Sequence, residues 1–469
     1  MIGIIGGSFA GLFAARALAL KGWQVTVFEP DAPGDISDFD RTFDEWQRPG
    51  VPQLRQPHTV RALARRLLLD RDPELAADLL GCGAIEWPYS LRRPDVERVE
   101  DPELIGILAR RTTIEPVIRA RVESTPGVTF VKAYVNDLVF EQTKDGPKIT
   151  GLVLRDGTRL PFQCIIDASG RRTRLPEWLR KIDIEPPAVQ SQPAGMIYYS
   201  RYFRFHPGAE ATNMTGIRSG PAGVVPLMAF RSNTLDRGTF SLALAVASWE
   251  PRFRALKNDQ VFNAFAGQIP AVAKWIDPAV SQPISKARAF GDIFNTYWDF
   301  MRDGKPIVAN LYALGDSRVH TSPYFGWGIT LALKQALLLA DNFKGPDNID
   351  HQSEFERAAA AFCYPYFEAA AEEDAARSAI WKDEPLPQSD RYTFYTSVLT
   401  PAASRDPYVY REVYRRTNML THPHAIFDQP DIIDRARRAM QAGPDKTISA
   451  QDVLDRIETA QKATMLAAE

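Results

Sequence analysis

The sequence predicts an α/β protein: a parallel sheet, an antiparallel sheet inserted into it, and a helical C-terminal region. Three observations carry that reading. Residues 1–29 run through a short apolar segment, a glycine turn, a helical stretch and a second apolar segment ending in an acid. Short apolar runs bounded by Asp and Gly fill 128–162 and recur between 198 and 290, the pattern of strands. Beyond 345 the chain reads as mostly helical.

Ile2, Ile4 and Ile5 give the first strand and Gly6-Gly7-Ser8-Phe9-Ala10-Gly11 the turn. Residues 12–20 continue as a helix, and Val25-Thr26-Val27-Phe28 form a second strand that closes at Glu29. A pyrophosphate can sit on the positive end of a helix only if the preceding turn is tight and small side chains stand at the closest approach. Gly6 supplies that turn and Gly11 lets the helix press against the strand. Ser8 stands where a glycine is usual, and it is small and able to donate to a phosphate. Glu29 lies about 20 residues beyond the turn, where a carboxylate accepts from a ribose hydroxyl. An acid there repels a 2′-phosphate, which points to FAD or NAD rather than NADP. An ordinary strand-turn-helix junction is the plainer alternative.

The chain has 469 residues, 45% hydrophobic and 24% charged, with a formal net charge of -2. That size allows two or three domains, or one large domain with an insertion. The charge gives no basic surface for nucleic acid or anionic lipid. Cys82, Cys164 and Cys363 form no CxxC pattern, so neither disulfides nor zinc are expected, no other metal is, and a cytoplasmic setting fits. No leader pattern opens the sequence. No apolar run reaches the roughly 18 residues that span a bilayer.

In chain order, 30–44 reads as an acidic loop, followed by Arg48-Pro49-Gly50-Val51-Pro52-Gln53, a helix near 57–69, and another from Asp72 to Gly81. Arg48 or Arg55 could neutralise phosphate or simply be solvated. His58 is a catalytic or a structural histidine. Residues 101–122 read as one long helix carrying Leu104, Ile107, Leu108, Ile114 and Ile118. Arg111 on it either clamps the nucleotide or pairs with Glu115 one turn on. Strands are expected at 128–131, 135–140 and 149–154, with turns at Lys144-Asp145-Gly146 and Arg155-Asp156-Gly157. Cys164-Ile165-Ile166 leads into Asp167-Ala168-Ser169-Gly170, returning the chain to the carboxyl edge of the parallel sheet. The arginines behind it, Arg171, Arg172 and Arg174, meet a phosphate or water.

Further strands at 198–205, 224–230, 239–246 and 287–290, covered by a helix at 259–268, suggest a chamber with Tyr198, Tyr202, Phe230, Phe290 and Trp298 as candidate walls. Leu311-Tyr312-Ala313-Leu314 then runs into Gly315-Asp316, on through His320, Pro323, Tyr324, Gly326 and Gly328, and into a helix at 329–341. This second glycine-rich junction aims another helix N-terminus at an anionic group. Asp316 at the strand end is placed to accept from a ribityl or ribose hydroxyl. The remainder reads as helices at 351–380 and 432–442, a break at Pro385-Leu386-Pro387, a stop at Gly443-Pro444, and a capping box at Ser449-Ala450-Gln451-Asp452. Its aromatics, Tyr395, Tyr410 and Tyr414 among them, pack over the main body as a cover, a lid or a dimer surface.

Three motifs, Gly6 to Gly11 with Glu29, Asp167-Ala168-Ser169-Gly170-Arg171, and Gly315-Asp316 through Pro323, Gly326 and Gly328, together resemble the fingerprints of class A FAD-dependent monooxygenases. These include para-hydroxybenzoate hydroxylase-like enzymes, and flavin halogenases and geranylgeranyl reductases are relatives. Arg48 to Gln53 and Arg111 to Glu115 add to the likeness, which covers roughly 1–345. It implies a Rossmann-like FAD-binding domain (1–180 and 285–345), an antiparallel-sheet substrate domain (181–284) and a helical C-terminal region (346–469).

It further implies that Gly6, Gly7, Ser8, Phe9, Ala10 and Gly11 hold the pyrophosphate, and that Glu29 holds the ribose. Arg111 would meet the ribose or phosphate side with Arg48 among the cofactor residues, Val135 the adenine through its backbone, and Asp167 and Gly170 the middle turn. Asp316 would meet the ribityl chain, with Pro323, Gly326, Gly328 and Ile329 lining the ring. His58, His320, Pro323 and Tyr324 are the catalytic candidates. The activity implied is transfer of one atom of O2 to an electron-rich aromatic or polycyclic substrate through a flavin C4a-hydroperoxide. NADH or NADPH supplies the electrons, directly or through a separate flavin reductase, and the protein is a monomer or homodimer. The Trp-x-Trp-x-Ile-Pro sequence of halogenases is absent. A reductase or dehydrogenase acting without oxygen insertion stays open, as does a non-catalytic flavin-binding protein.

Overall fold

The computed structural model describes residues 1–31, 37–89, 101–144, 146–209, 220–386, 390–441 and 448–466. Part of the acidic segment (32–36), Asp145, Pro387 and the Gly443-Pro444 stop lie outside them. Five parallel strands form the central sheet, in the order Leu311–Ala313, Cys164–Asp167, Ile2–Ile5, Val25–Phe28 and Val128–Val131. Their continuous Ile and Val runs suit strands buried on both faces. On one face the helix Phe9–Ala19 packs with Arg111–Glu123 and Gly328–Asn342 around Leu12, Ile114, Ile118 and Ala336. On the other lies a three-stranded antiparallel sheet, Val135–Thr143, Gly146–Leu154 and Arg159–Pro161, with its core at Ile149, Leu152 and Ile165. The first strand therefore sits at the middle, and its glycine turn opens at the carboxyl edge.

The second large sheet is antiparallel, ordered Ala222–Val225, Met228–Thr234, Thr239–Ala247, Met196–Phe205 and Ser281–Pro283, with Arg288–Phe290 also paired to Met196–Phe205. Residues 239–247, TFSLALAVA, alternate large and small side chains. Phe240, Leu242, Leu244 and Val246 enter one apolar cluster with Phe262 of the helix Asp259–Ala266 and Ile457 of Ala450–Leu466. On the other face Ala243 and Ala245 border a cavity. A third sheet, Ala188–Pro193, Phe294–Asp299 and Val319–His320, carries His320.

Several expected elements fall elsewhere. Residues 101–122 are a strand, Ile105–Leu108, followed by the helix Arg111–Glu123. The strand pairs with Ile85–Pro88, and Gly106 lets Val60 approach its other side, because a Cβ there would stand 2.8 Å from the Val60 carbonyl. The acidic loop contains the helix Phe39–Glu45, capped by Asp38. The helix expected from 57 begins later, as Ala62–Arg71, because Val60 bridges to Ile107. The strand expected at 224–230 is a hairpin of two strands broken at Pro226-Leu227, where proline lacks a donor and Leu227 has φ +64.

The C-terminal region is helical, dominated by Ile349–Lys382 and followed by Asp390–Phe394, a π-helical turn at Tyr395–Leu399, Pro407–Thr417 and Pro430–Gln441. The capping box forms: Asp452 N–H donates to Ser449 Oγ at 3.1 Å and Ser449 N–H to Asp452 at 2.7 Å. All three cysteines are free thiols. Among the described residues no helix is long and apolar enough to cross a membrane, and no cluster of His, Cys, Asp and Glu could hold a metal.

Candidate functional site

The glycine turn is built by exclusion. Gly6 has φ +99, and a Cβ on it would lie 2.5 Å from the Ala168 carbonyl; one on Gly7 would meet the Glu29 side chain at 2.8 Å, and one on Gly11 the Gly6 carbonyl at 1.9 Å. Three strand ends and a helix start therefore meet where no side chain fits. The helix Phe9–Ala19 has no side-chain cap and no acid in its first turn. Its first N–H groups and positive end are left for an anion. Arg111 stands beside them, donating to Ser8 Oγ at 2.7 Å.

Behind this end lies a buried chain of alternating charges. Glu29 accepts from Gly7 N–H at 2.8 Å and Asp31 N–H at 3.0 Å, and pairs with Arg48. Arg48 also pairs with Glu115, which pairs with Arg111 at 2.7 Å. Burial opposes the Glu115 charge, but Arg111 and Arg48 outweigh it and hold its carboxyl below the usual range. His58 completes the chain: its Nδ1 lies 2.7 Å from the Gln56 carbonyl and its Nε2 3.2 Å from Arg111. Burial, and next the Arg111 charge, push the imidazole down to about 3. A neutral ring with Nδ1–H donating to the carbonyl and Nε2 accepting from Arg111 satisfies both contacts. His58 thereby holds Arg111 in place.

The second junction touches the first. A Cβ on Gly315 would stand 2.7 Å from Ala10, and Gly315 N–H donates to Gln335 at 3.1 Å. Gly170 N–H donates to Ser317 Oγ at 3.0 Å, which ties the middle motif to the third. The loop before the helix Gly328–Asn342 is clamped from outside. Arg61 donates to the Phe325 carbonyl and, at 3.3 Å, to that of Gly326, while Trp327 Nε1 donates to the Thr417 carbonyl at 2.9 Å.

Ser8, His58, Arg61, Arg111, Gly170, Gly315 and the loop before the helix Gly328–Asn342 border one cavity of about 1330 Å³. Single-ligand pockets run to about 300–1,000 Å³, so the space suits a dinucleotide together with a second molecule. Its walls come from both glycine junctions, from the small-residue face of the antiparallel sheet, and from the C-terminal turn at Tyr395–Leu399.

No family model matches the chain. Among curated proteins, protein Rv3254 of Mycobacterium tuberculosis is 27% identical over 77% of each chain. Among solved structures, p-nitrophenol 4-monooxygenase PnpA of Pseudomonas putida aligns with a TM-score of 0.61 and 14% identity, covering 89% of this chain and 98% of its own. PqsL of Pseudomonas aeruginosa, a probable FAD-dependent monooxygenase, gives 0.57 and 16%, covering 81% and 99%. The flavin-dependent brominase Bmp2 gives 0.59 and 15%, covering 94% and 98%. The chain has the fold of these flavoenzymes.

Within that fold, the expected site residues divide. Ser8, Phe9, Ala10, Arg111, Gly170, Asp316, Pro323, Gly326, Gly328 and Ile329 line the cavity, with His58, His320, Tyr324, Tyr198, Phe230 and Phe290. Gly6, Gly7 and Gly11 shape it from behind. Glu29 and Arg48 lie in the buried charge chain. Asp167 is fully buried, accepting from Ser169 N–H at 2.9 Å and from the Thr173 hydroxyl, so it orders the middle turn. Val135 pairs with Leu154 in the small sheet, away from the cavity wall. Two aromatics sit elsewhere, Tyr202 in the core and Trp298 half-buried against it. Tyr202 packs on Phe43 at 5.1 Å and donates to the Gln56 carbonyl at 2.9 Å, and Trp298 packs against the cluster of Phe300 and Leu311. Arg55 is spent on the carbonyls of Phe43, Asp44 and Trp46.

His320 Nδ1 lies 2.6 Å from the Phe294 carbonyl, and Tyr324 stacks under Arg377 at 4.7 Å. Residues that the sequence reading passed over are Arg61, Arg377, Arg416 and Glu373; Tyr395, expected in the aromatic cover, joins the last two in the C-terminal wall. Arg416 pairs with Glu373 and lies 3.9 Å over the Tyr395 ring. No local motif marks these, because each acts across a long stretch of chain.

Proposed function

We propose that this protein is an FAD-dependent monooxygenase acting on an electron-rich aromatic or polycyclic small molecule. One observation carries the reading: two helix-start glycine junctions and an aromatic-edged antiparallel sheet open onto a single cavity. The residues fit the cofactor. The N–H groups at 8–11 and Arg111 would take the pyrophosphate, and Glu29, held in place by Arg48, the ribose. Asp316 would meet the ribityl chain, and Pro323 to Ile329 the ring. Bound FAD supplies the redox chemistry, so that substrate, O2, NAD(P)H and a proton give hydroxylated substrate, water and NAD(P)+. The chain's own part is to orient, to hold charge and to exclude water.

The positive start of the helix Gly328–Asn342 faces the ring's place, and Arg61 fixes the carbonyls of that loop. Neutral His58 keeps Arg111 on the phosphate side instead of moving protons. Pro323 and Tyr324 close the wall where ring and substrate would meet. Electrons come from NADH or NADPH, directly or through a reductase. The three free thiols suit a reducing, cytoplasmic setting.

The test is turnover of an aromatic panel under labelled dioxygen. One labelled atom per product molecule supports the reading. Turnover that continues without oxygen favours a reductase or dehydrogenase.

A further inference from the structure

The register of the antiparallel sheet shows what its cavity face offers. Tyr198 pairs with Ala245 and Phe290, Ala245 with Ala229, and Ala229 with Val224. These five side chains make one cross-strand row, and all five border the cavity. In the next row Ala243 pairs with Arg231 and Arg231 with Ala222, again on the cavity. Ala229, Ala243 and Ala245 thus form three corners of a small-residue floor, with Arg231 at the fourth. It spans two strands about 4.8 Å apart and alternate residues about 6.8 Å apart, comparable with a fused two-ring system. The aromatic edge of the row, Tyr198 and Phe290, gives a flat molecule rings to pack against.

At that edge stands a cation. Arg171 lies 4.8 Å over the Phe290 ring, half-buried, and borders the cavity. Besides the ring it donates to the Asp292 carbonyl at 3.3 Å, and among the described residues it makes no ion pair. Burial, and then the neighbouring Arg172, pull its guanidinium below the ordinary value, while Asp316 and Asp292 act the other way. Among the described residues nine arginines and lysines border the cavity against two acids, Asp316 and Glu373, with Arg111 and Arg377 paired to Glu115 and Asp374 behind the wall. Glu373 is already paired with Arg416.

Resting on the reading of the cavity as a monooxygenase site, we propose that the substrate is a planar, multi-ring aromatic acid: its rings lie on Ala229, Ala243 and Ala245 against Tyr198 and Phe290, and its anionic group pairs with Arg171. The basic cluster after the middle motif thereby becomes the specificity determinant. Guanidinium-to-anion hydrogen bonds are the strong kind, and Arg171 is held in place by its stacking.

The test compares two fluorescent probes on the purified full chain, anilinonaphthalene sulfonate and its uncharged parent phenylnaphthylamine. Flavin absorbance is recorded on the same samples, so loss of the cofactor reading registers separately from loss of this one. The charged probe should bind at least about tenfold more tightly than the neutral one. Arg171→Gln should erase that preference without weakening the neutral probe, and Ala245→Phe should abolish both. A misfolded Ala245→Phe chain would instead bind both probes more strongly; Ala243→Leu then repeats the floor test, with loss of both probes again expected. Equal affinities in the wild type, a preference that survives Arg171→Gln, or full binding over a filled floor in folded variants would overturn the proposal. Displacement of the charged probe by NADH alone would overturn it too, by assigning Arg171 to the coenzyme.

Discussion

Gly11→Ala tests the nucleotide end with one methyl group. The added Cβ would lie 1.9 Å from the Gly6 carbonyl oxygen, about 1.5 Å inside an ordinary contact of 3.4 Å. Neither side can yield cheaply. Gly6 is held in a left-handed conformation against the Ala168 backbone, and the helix Phe9–Ala19 touches Gly315 through Ala10. The helix must lift by more than an ångström. Overpacking of this kind costs about 1–3 kcal/mol, with the upper end expected against backbone. The lift also moves the helix N–H groups off a bound phosphate. Hydrogen bonds to charged groups are worth about 1.5–3 kcal/mol each, so losing two weakens FAD by about 100-fold or more. The assay is the flavin-to-protein ratio after gel filtration together with the melting temperature. Gly81→Ala, where a Cβ meets nothing within 4 Å, is the control and should leave both unchanged. Normal flavin content and melting temperature in Gly11→Ala would refute the reasoning.

The other predictions follow from buried charge. His58 takes up a proton near 6.5 when unfolded and near about 3 when folded, so the unfolded state binds more protons between those values and stability falls as pH drops through that window. Melting curves against pH should show His58→Gln losing this part of the acid sensitivity. Glu115, held below its usual value of 4.5, contributes stability above that pH that is lost on further acidification. Glu115→Gln should cost about 3–5 kcal/mol at neutral pH by denaturant titration, because it breaks a buried pair. Arg416→Met leaves Glu373 buried without its partner and should destabilise by a similar amount, with faster proteolysis within 395–417. Trp327→Phe removes one hydrogen bond between the ring loop and Thr417; about 1 kcal/mol of stability and a shifted flavin spectrum are expected.

The strand-turn-helix at 1–29 was legible in the sequence because its chemistry forces residue types at fixed spacing, as the Cβ clashes at Gly6, Gly7 and Gly11 show. The stretch 101–122 was misread because Leu104, Ile107 and Leu108 suit a helix as well as a strand. Only the pairing with Ile85–Pro88 decides between them. The alternation in TFSLALAVA was visible, yet it says only that one face is small, and the cavity gives that face its use. Attention to large aromatics singled out Tyr202 and Trp298, which pack in or against the core, and passed over the alanines. Arg48 between Glu29 and Glu115, Arg61 on the ring loop, and Arg416 on Tyr395 join residues far apart in the chain. Spacing carries no trace of such pairs.

The most direct test is the visible spectrum of the purified full chain after incubation with FAD and gel filtration, followed anaerobically as NADH or NADPH is added. Retained flavin absorbance, close to one FAD per chain and bleached by a reductant or a reductase, is the predicted result. A colourless protein that excludes FAD would contradict the assignment of the cavity to a flavin dinucleotide.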